Sequence, residues 1–200
     1  NQIRKVNAIF EKRGAVGFAY NDVCEILSNL MKSNTYILSM KGKVLGVFYT
    51  NEEDSSAFYD NESNSEMFLR GENESILEIE ETRNNLTGED ALALFPESMT
   101  KTAYNKFHTI VPVYGGGLRL GTLVFSRYDE EYSVRDLILM EHVATIVGIE
   151  IERRRNKRQE EKKRKRMAAQ IALDGLTWSE MHSLYYVFRE IENGNGLVVA

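Results

Sequence analysis

The first part of the chain carries two helical patterns of apolar residues. In residues 2–13 the apolar positions recur every three or four residues, which predicts an amphipathic helix. A second helix, with Asn21 or Asp22 as its N-cap, is predicted to end at Met31. The residues predicted to face the core are Val23, Ile26, Leu27, Leu30 and Met31.

The pattern then changes to short strands. Residues 35–39 and 44–49 are rich in strand-forming residues and flank a turn at residues 41–43, which predicts a β-hairpin. Beyond it the chain is acidic and weakly patterned, and we predict short helices over residues 62–69 and 76–83.

A second hairpin is predicted where two apolar runs flank Gly115, Gly116 and Gly117. Residues 109–114 and 120–126 form the strands, and the glycines allow the positive φ of a tight turn. Pro112 lacks an amide donor, so its strand should lie at a sheet edge or present that position away from the ladder. We favour this hairpin over a phosphate-binding loop, because a strand follows the glycines and no Lys-Ser/Thr pair closes the motif.

From Ser133 onward the spacing is helical. Ser133 is a predicted N-cap with Asp136 three residues later, and no helix breaker occurs before Asp174-Gly175. A helix of that length exceeds what one small domain covers, so we expect it to protrude as a connector. Thr177 is predicted to cap a last amphipathic helix over residues 178–190.

Together these elements predict an α+β fold with an antiparallel sheet and flanking helices. The order is compatible with a GAF- or PAS-type sensor and lacks the strand–helix alternation of a doubly wound nucleotide-binding fold. The 200 residues suffice for one substantial domain and part of another. No apolar run approaches the ~18 residues of a membrane helix, and no signal peptide opens the chain, so we expect a soluble cytoplasmic protein without membrane contact.

Charge is distributed unevenly along the chain. The net charge of −5 combines a local +7 in residues 152–166 with a local −11 in residues 51–90. The basic tract has two interpretations: the solvated face of a connector helix, or a source of phosphate contacts to a nucleotide or to DNA. The sequence alone leaves both open.

The chemically reactive residues do not predict catalysis or a metal site. His108, His142 and His182 are far apart and lack the spacing of metal ligands. Cys24, the only cysteine, excludes a disulfide within the chain and is predicted to be a buried, inert thiol. No Ser/His/Asp arrangement can be singled out, so we predict that the protein is not an enzyme and holds no metal or cofactor.

The long connection over residues 49–95 is the segment in which a sensor would build a ligand pocket. Its apolar side chains can either form the wall of a small cavity or pack on the sheet, and the two interpretations have similar weight. They are Phe58, Tyr59, Met67, Phe68, Leu69 and Phe95.

The run Val-Pro-Val-Tyr-Gly-Gly-Gly-Leu-Arg-Leu-Gly-Thr-Leu-Val-Phe-Ser-Arg at 111–127 strongly resembles the CodY family. So do Asp-Leu-Ile-Leu at 136–139, Val-Gly-Ile-Glu at 147–150, and the segments 39–46 and 192–200. The similarity covers essentially the whole chain and is loosest over residues 50–95. It implies a global transcriptional regulator of low-GC Gram-positive bacteria, a pleiotropic repressor with branched-chain amino acids and GTP as effectors.

The resemblance also implies a domain organisation. Residues 1–133 would form a GAF-like sensing domain, residues 134–175 the long linker helix, and residues 176–200 the start of a winged helix-turn-helix domain. The chain would then stop before the recognition helix, so we do not expect this segment to bind its DNA operator alone. A homodimer is implied as well.

Site residues follow from the resemblance position by position. Those assigned to the amino-acid pocket are Phe68, Phe95, Pro96, Phe58, Met67 and Arg70. The family's pocket holds an arginine for the ligand carboxylate, and its position falls near Ala57 or Phe58, where no arginine occurs. Either Arg70 substitutes for it, or this protein senses another molecule, or it has lost amino-acid sensing. The residues assigned to GTP are Phe18, Tyr20, Ser39, Lys41, Glu150 and Arg155.

The predicted mechanism is a population shift, in which isoleucine, leucine or valine favours one disposition of the linker and DNA-binding domains. The alternative is a divergent GAF sensor or oligomerisation module with a different small-molecule ligand or none. A GAF-type enzyme would need a reactive cysteine pair or a metal cluster, and Cys24 alone supplies neither.

Overall fold

The computed structural model describes residue 4 and residues 19–50, 57–95 and 105–192. The chain forms two compact units, Asn1–Arg153 and Arg154–Ala200. The predicted helix over residues 2–13, Phe18 and Pro96 lie outside the described residues, apart from Arg4.

The first unit contains an antiparallel five-stranded sheet in the order β2-β1-β7-β6-β5. Its strands are β1 (Asn34–Ser39), β2 (Val44–Phe48), β5 (Arg83–Leu86), β6 (Lys106–Gly115) and β7 (Leu118–Tyr128). A separate two-stranded hairpin consists of β3 (Phe58–Asp60) and β4 (Ser65–Met67). The helices of the chain are α1 (Tyr20–Met31), α2 (Arg70–Leu77), α3 (Gly88–Leu94), α4 (Val134–Asp174) and α5 (Trp178–Glu192). The predicted α+β class with an antiparallel sheet is confirmed.

Both predicted hairpins are confirmed. β1 pairs with β2, and β6 pairs with β7 around Gly116 and Gly117, whose φ angles are +56° and +76°. Strand β6 is not an edge strand, because β5 flanks it on the other side. The ladder with β5 reaches only from His108 to Ile110, so Pro112 lies beyond it and its missing donor removes no bond from that ladder.

Of two predicted helix caps, one is wrong and one is confirmed. The capping of α1 by Asn21 or Asp22 is wrong, since the helix begins at Tyr20 and Ala19 is its cap. The amide oxygen of Asn21 instead accepts a hydrogen bond from the backbone N–H of Val47 (3.1 Å), which ties α1 to β2. Ser133 is confirmed as the cap of α4: its hydroxyl donates to Asp136 Oδ2 (2.9 Å) and accepts from the backbone N–H of Asp136 (3.3 Å).

The short helices predicted over residues 62–69 and 76–83 are wrong. The first region is the turn and second strand of the β3–β4 hairpin, where Asp60 Oδ2 accepts from the backbone N–H of Ser63 (2.9 Å) and Asn64 has a φ of +49°. This local Asx turn competes successfully with a helix. The second region contains the end of α2 and the start of β5. Helix α2 ends where the Arg119 guanidinium donates hydrogen bonds to its last carbonyl oxygens.

The sheet has a different core on each face. On one face, α1 and the first half of α4 pack on side chains such as Ile37, Leu123 and Phe125. The other face carries what we call the aromatic cluster, to which Phe68 just after β4, Ile76 of α2 and Phe95 just after α3 contribute. Its buried members are Tyr36, Leu38, Phe68, Ile76, Ile79, Leu86, Phe95, Ile110 and Val124.

Helix α4 is confirmed as a helix of 41 residues. The first compact unit extends to Arg153 and therefore includes its first half, whereas the predicted domain limits at residues 133 and 175 stay predictions. In the second unit, every residue of α4 from 155 onward is exposed. Thr177 caps α5, with its hydroxyl donating to Glu180 Oε2 (2.7 Å), as predicted. Within the described residues, no helix combines the length and apolar character that a bilayer crossing requires.

Candidate functional site

The aromatic cluster brings together two of the residues assigned to the amino-acid pocket. Phe68 is 2% exposed and Phe95 is 1% exposed, and their ring centroids are 6.4 Å apart in an edge-on arrangement. Tyr36 on β1 packs edge-on against Phe68 at 5.2 Å. These rings form part of the buried apolar packing on this face of the sheet.

The other described residues of that assignment are not members of the cluster. Phe58 is 42% exposed on β3, and Met67, its partner on β4, is half-buried. Arg70 begins α2 and is exposed, and its Nε donates to Glu74 Oε1 (2.8 Å) on the same helix face. Because Arg70 is engaged at the surface, the aromatic cluster gains no cation from it in this structure. Its assignment to the pocket stays a prediction.

His108 is a polar residue of this region, for which the sequence predicted no role in metal binding. It is 1% exposed and its ring lies 4.8 Å from that of Phe95. Its Nδ1 shares a hydrogen bond with the Ser126 hydroxyl across the β6–β7 ladder (2.9 Å). Its Nε2 is buried and has no hydrogen-bond partner among the described residues. Burial, followed by the nearby charge of Lys106, lowers the pKa of His108 to about 3, so the ring is neutral at physiological pH.

Arg119 is a second important residue that the sequence did not single out. Its guanidinium donates to the carbonyl oxygens of Ile76 (3.3 Å), Leu77 (3.4 Å) and Ile79, and to Thr122 Oγ1 (3.0 Å). The cation therefore closes the C-terminal end of α2, where backbone carbonyls concentrate negative potential. In this way β7 fixes the helix that covers the aromatic cluster.

Part of the predicted GTP site gathers at one end of the sheet. The hydroxyl of Ser39, at the end of β1, accepts from the backbone N–H groups of Lys41 (3.3 Å) and Lys43 (3.2 Å). Ser39 pairs with Gly121 on β7, and the position of a Cβ on Gly121 is 3.8 Å from Ile151 Cδ1. Helix α4 thus approaches this end of the sheet at the residue that follows Glu150.

The remaining residues of that prediction are dispersed. Tyr20 is the first residue of α1 and is half-buried against the core beneath the sheet. Glu150 is half-buried on α4, with its Oε2 3.8 Å from Arg153 Nη1. Arg155 belongs to the second unit, where it is exposed. The nucleotide assignment therefore stays a prediction.

A separate surface hollow of about 440 Å³ lies between the segment before β5, strand β6 and helix α4. Its rim includes the carboxylates of Glu80, Glu81 and Glu141, and none of the predicted site residues lines it. An acidic rim disfavours carboxylate and phosphate ligands. Within the part of the chain that is described, no group of three His, Cys, Asp or Glu side chains is arranged to hold a metal ion.

The buried imidazole predicts a pH dependence of stability. In the unfolded chain His108 takes up a proton near pH 6.5, whereas in the folded protein it stays neutral down to about pH 3. The unfolded state binds more protons between these values, so stability falls as the pH is lowered through them. Between pH 7 and pH 4.5 we expect wild-type protein to lose about 2 kcal/mol more than His108→Leu, as measured by urea unfolding.

The matched control for this comparison is His182→Leu, which removes a histidine from the second unit. It should retain the additional loss seen in the wild type. An equal loss of stability in His108→Leu and wild type would contradict the prediction.

Comparison with known proteins matches this arrangement to one family. The CodY GAF-like domain family matches residues 1–175. The global transcriptional regulator CodY of Clostridium acetobutylicum is 36% identical over 200 residues, covering 100% of this chain and 77% of that protein. The protein of the same name from Brevibacillus brevis is 34% identical over 200 residues, with the same coverage.

Solved structures show the same relationship. The cofactor-binding GAF domain of the nutrient sensor CodY from Clostridium difficile aligns with a TM-score of 0.64 and 37% identity, over 75% of this chain and 95% of that one. A GAF domain of a Coxiella burnetii phosphoenolpyruvate-protein phosphotransferase aligns with a TM-score of 0.55 at 15% identity, covering 78% of this chain and 96% of that one, and supports the fold alone. The first unit is accordingly GAF-like, and the chain belongs to the CodY family.

Proposed function

We propose that this protein acts as a transcriptional regulator of the CodY type. It would sense branched-chain amino acids, with GTP as a second effector. The observation that carries this proposal is the 34–36% sequence identity, over the whole chain, to proteins named as global transcriptional regulators. The structural relative described as a cofactor-binding domain of a nutrient sensor supports a sensing role for the first unit.

The aromatic cluster supports the assignment of the amino-acid site. Phe68 and Phe95 present buried aromatic carbon on the sheet face that α2 and α3 cover. A branched aliphatic side chain gains most from such surroundings, because burial of apolar area is favourable without a polar partner. Phe58, Met67 and Arg70 would then lie at the rim of the site, and Pro96 follows Phe95 directly in the sequence.

The end of the sheet near Ser39 supports the assignment of the nucleotide site. Lys41 is exposed in the turn after β1 and offers a cation to a phosphate group. The basic residues that begin the tract after Glu152 add positive charge in sequence, as phosphate binding requires.

Effector binding would act through differential affinity for two states. A ligand that binds one arrangement of sensing domain and linker helix more tightly increases its population, and operator affinity changes accordingly. The DNA contacts and the homodimer are part of this proposal.

Calorimetric titration and thermal denaturation test the effectors. Isoleucine, leucine, valine and GTP should release or absorb heat and raise the midpoint of unfolding, whereas lysine, aspartate and ATP serve as matched control ligands. Phe95→Leu should weaken binding of isoleucine, and Phe188→Leu, an exposed aromatic of α5, should not. Absence of heat and of a thermal shift with every effector would refute the effector assignment.

A further inference from the structure

His108 carries a hydrogen-bonding atom that has no partner in the described part of the chain. The imidazole shares a hydrogen bond with Ser126 on one side and packs against the tilted ring of Phe95. Its Nε2 is buried without a hydrogen-bond partner among the residues that the structure describes. Because buried polar atoms in native proteins are nearly always paired, such an atom calls for an explanation, and a ligand is one.

A positively charged residue, Lys106, lies near this histidine on the same strand. Lys106 is two residues before His108 on β6, so both side chains emerge on the same face of the sheet. Lys106 is only 5% exposed, and its Nζ lies 5.6 Å from the centroid of the Tyr128 ring. The charge is close enough to influence the ionisation of His108. This end of the aromatic cluster therefore favours a negatively charged group.

The two ends of the region complement a small amino acid with an apolar side chain. Phe68 and Phe95 offer the apolar end, and Phe95 contacts His108 directly, so the polar end begins where the aromatic surface stops. A carboxylate removed from water needs a cation or several donors. Arg70, which the sequence offered as one of three alternatives for that role, pairs with Glu74 at the surface.

We propose that Lys106 and His108 form the carboxylate-binding end of the effector site, with His108 Nε2 donating a hydrogen bond to the ligand and Lys106 supplying the charge. The proposal rests on the proposed function, since it places a branched-chain amino acid against Phe68 and Phe95. In this arrangement the Ser126 hydroxyl would donate its hydrogen bond to Nδ1, 2.9 Å away, and the proton of the neutral ring would lie on Nε2.

The test is titration of the full chain with isoleucine, comparing wild type with His108→Leu, Lys106→Met and the control His182→Leu. A lost hydrogen bond to a charged group should lower affinity about tenfold or more in His108→Leu. The same substitution removes an unpaired buried atom, so its unfolding midpoint at pH 7 should equal or exceed that of wild type. Lys106→Met should weaken the binding of isoleucine. It should leave unchanged the binding of isoleucinamide, which lacks the carboxylate.

A direct observation covers the case in which a variant does not fold. In wild-type protein labelled with ¹⁵N-histidine, His108 should carry its proton on Nε2, and this nitrogen should shift when isoleucine is added. If wild type and His108→Leu bound isoleucine with the same affinity, this inference would be overturned and the proposed function would stand. The same conclusion would follow if the Nε2 signal did not shift when isoleucine is added. Failure of wild type to bind any branched-chain amino acid would overturn both.

Discussion

Gly148→Ala is expected to destabilise the first unit by about 3 kcal/mol or more, because this glycine lets α4 lie directly on the backbone of β6. An added Cβ would fall far inside the 3.0 Å that real Cβ atoms essentially never breach, against the carbonyl oxygen of Tyr114. Backbone atoms of a paired strand cannot rotate away as the end of a side chain can. Alanine favours helix over glycine by about 1 kcal/mol, and the clash outweighs that gain.

The control is Gly71→Ala, a helical glycine of α2 at which an added Cβ meets nothing within 4 Å. There the helix propensity acts alone, and we expect a stability equal to wild type or up to about 1 kcal/mol higher. Urea unfolding followed by circular dichroism measures both variants. A Gly148→Ala protein as stable as wild type would show that α4 can move away from β6 at little cost.

The same contact shows what sequence patterns predict well and what they leave out. The hairpin at Gly116 and Gly117 and the cap at Ser133 are decided by neighbours in sequence, and both were predicted correctly. The close approach of Gly148 to Tyr114 joins residues from two elements, and nothing in the helical spacing of α4 announces it. The helix prediction over residues 62–69 is wrong for a local reason, because the side chain of Asp60 forms a turn with Ser63 instead.

The sequence predicted the apolar residues of the candidate site but not its polar residues. Phe68 and Phe95 follow from the family resemblance, and the structure places both in one buried cluster. His108 was missed because a single histidine in a strand has no sequence pattern of its own, and its burial depends on the pairing of β6 with β5 and β7. The available signal was a polar residue at a position where the alternation along the strand predicts a core-facing apolar side chain.

Arg119 was missed for a related reason. It follows a glycine turn in the sequence, whereas its hydrogen-bond partners lie about forty residues earlier in the chain. An arginine between Leu118 and Leu120 on a strand was a sign that the side chain has a fixed partner.

Arg119→Met is accordingly expected to cost about 3 kcal/mol of unfolding free energy, since the substitution keeps the apolar stem and removes the charge-assisted bonds to several carbonyls. The carbonyl oxygens of Ile76, Leu77 and Ile79 would lose the cation that closes α2. Arg119→Lys should recover only a small part, because an ammonium group cannot span carbonyls that the planar guanidinium reaches together.

Hydrogen exchange separates this local effect from a general loss of stability. In Arg119→Met the backbone amides of α2 should exchange faster relative to those of β1, because the C-terminal end of α2 is the part released. Arg70→Met is the matched control: it removes an arginine from the exposed end of the same helix, where the only described ion pair is with Glu74, and should leave unfolding and exchange close to wild type. If both variants behaved alike, the carbonyl contacts of Arg119 would contribute nothing to holding α2 over the aromatic cluster. If only Arg119→Met loosens α2 and also weakens isoleucine binding, then β7 positions the cover of the effector site through this one side chain.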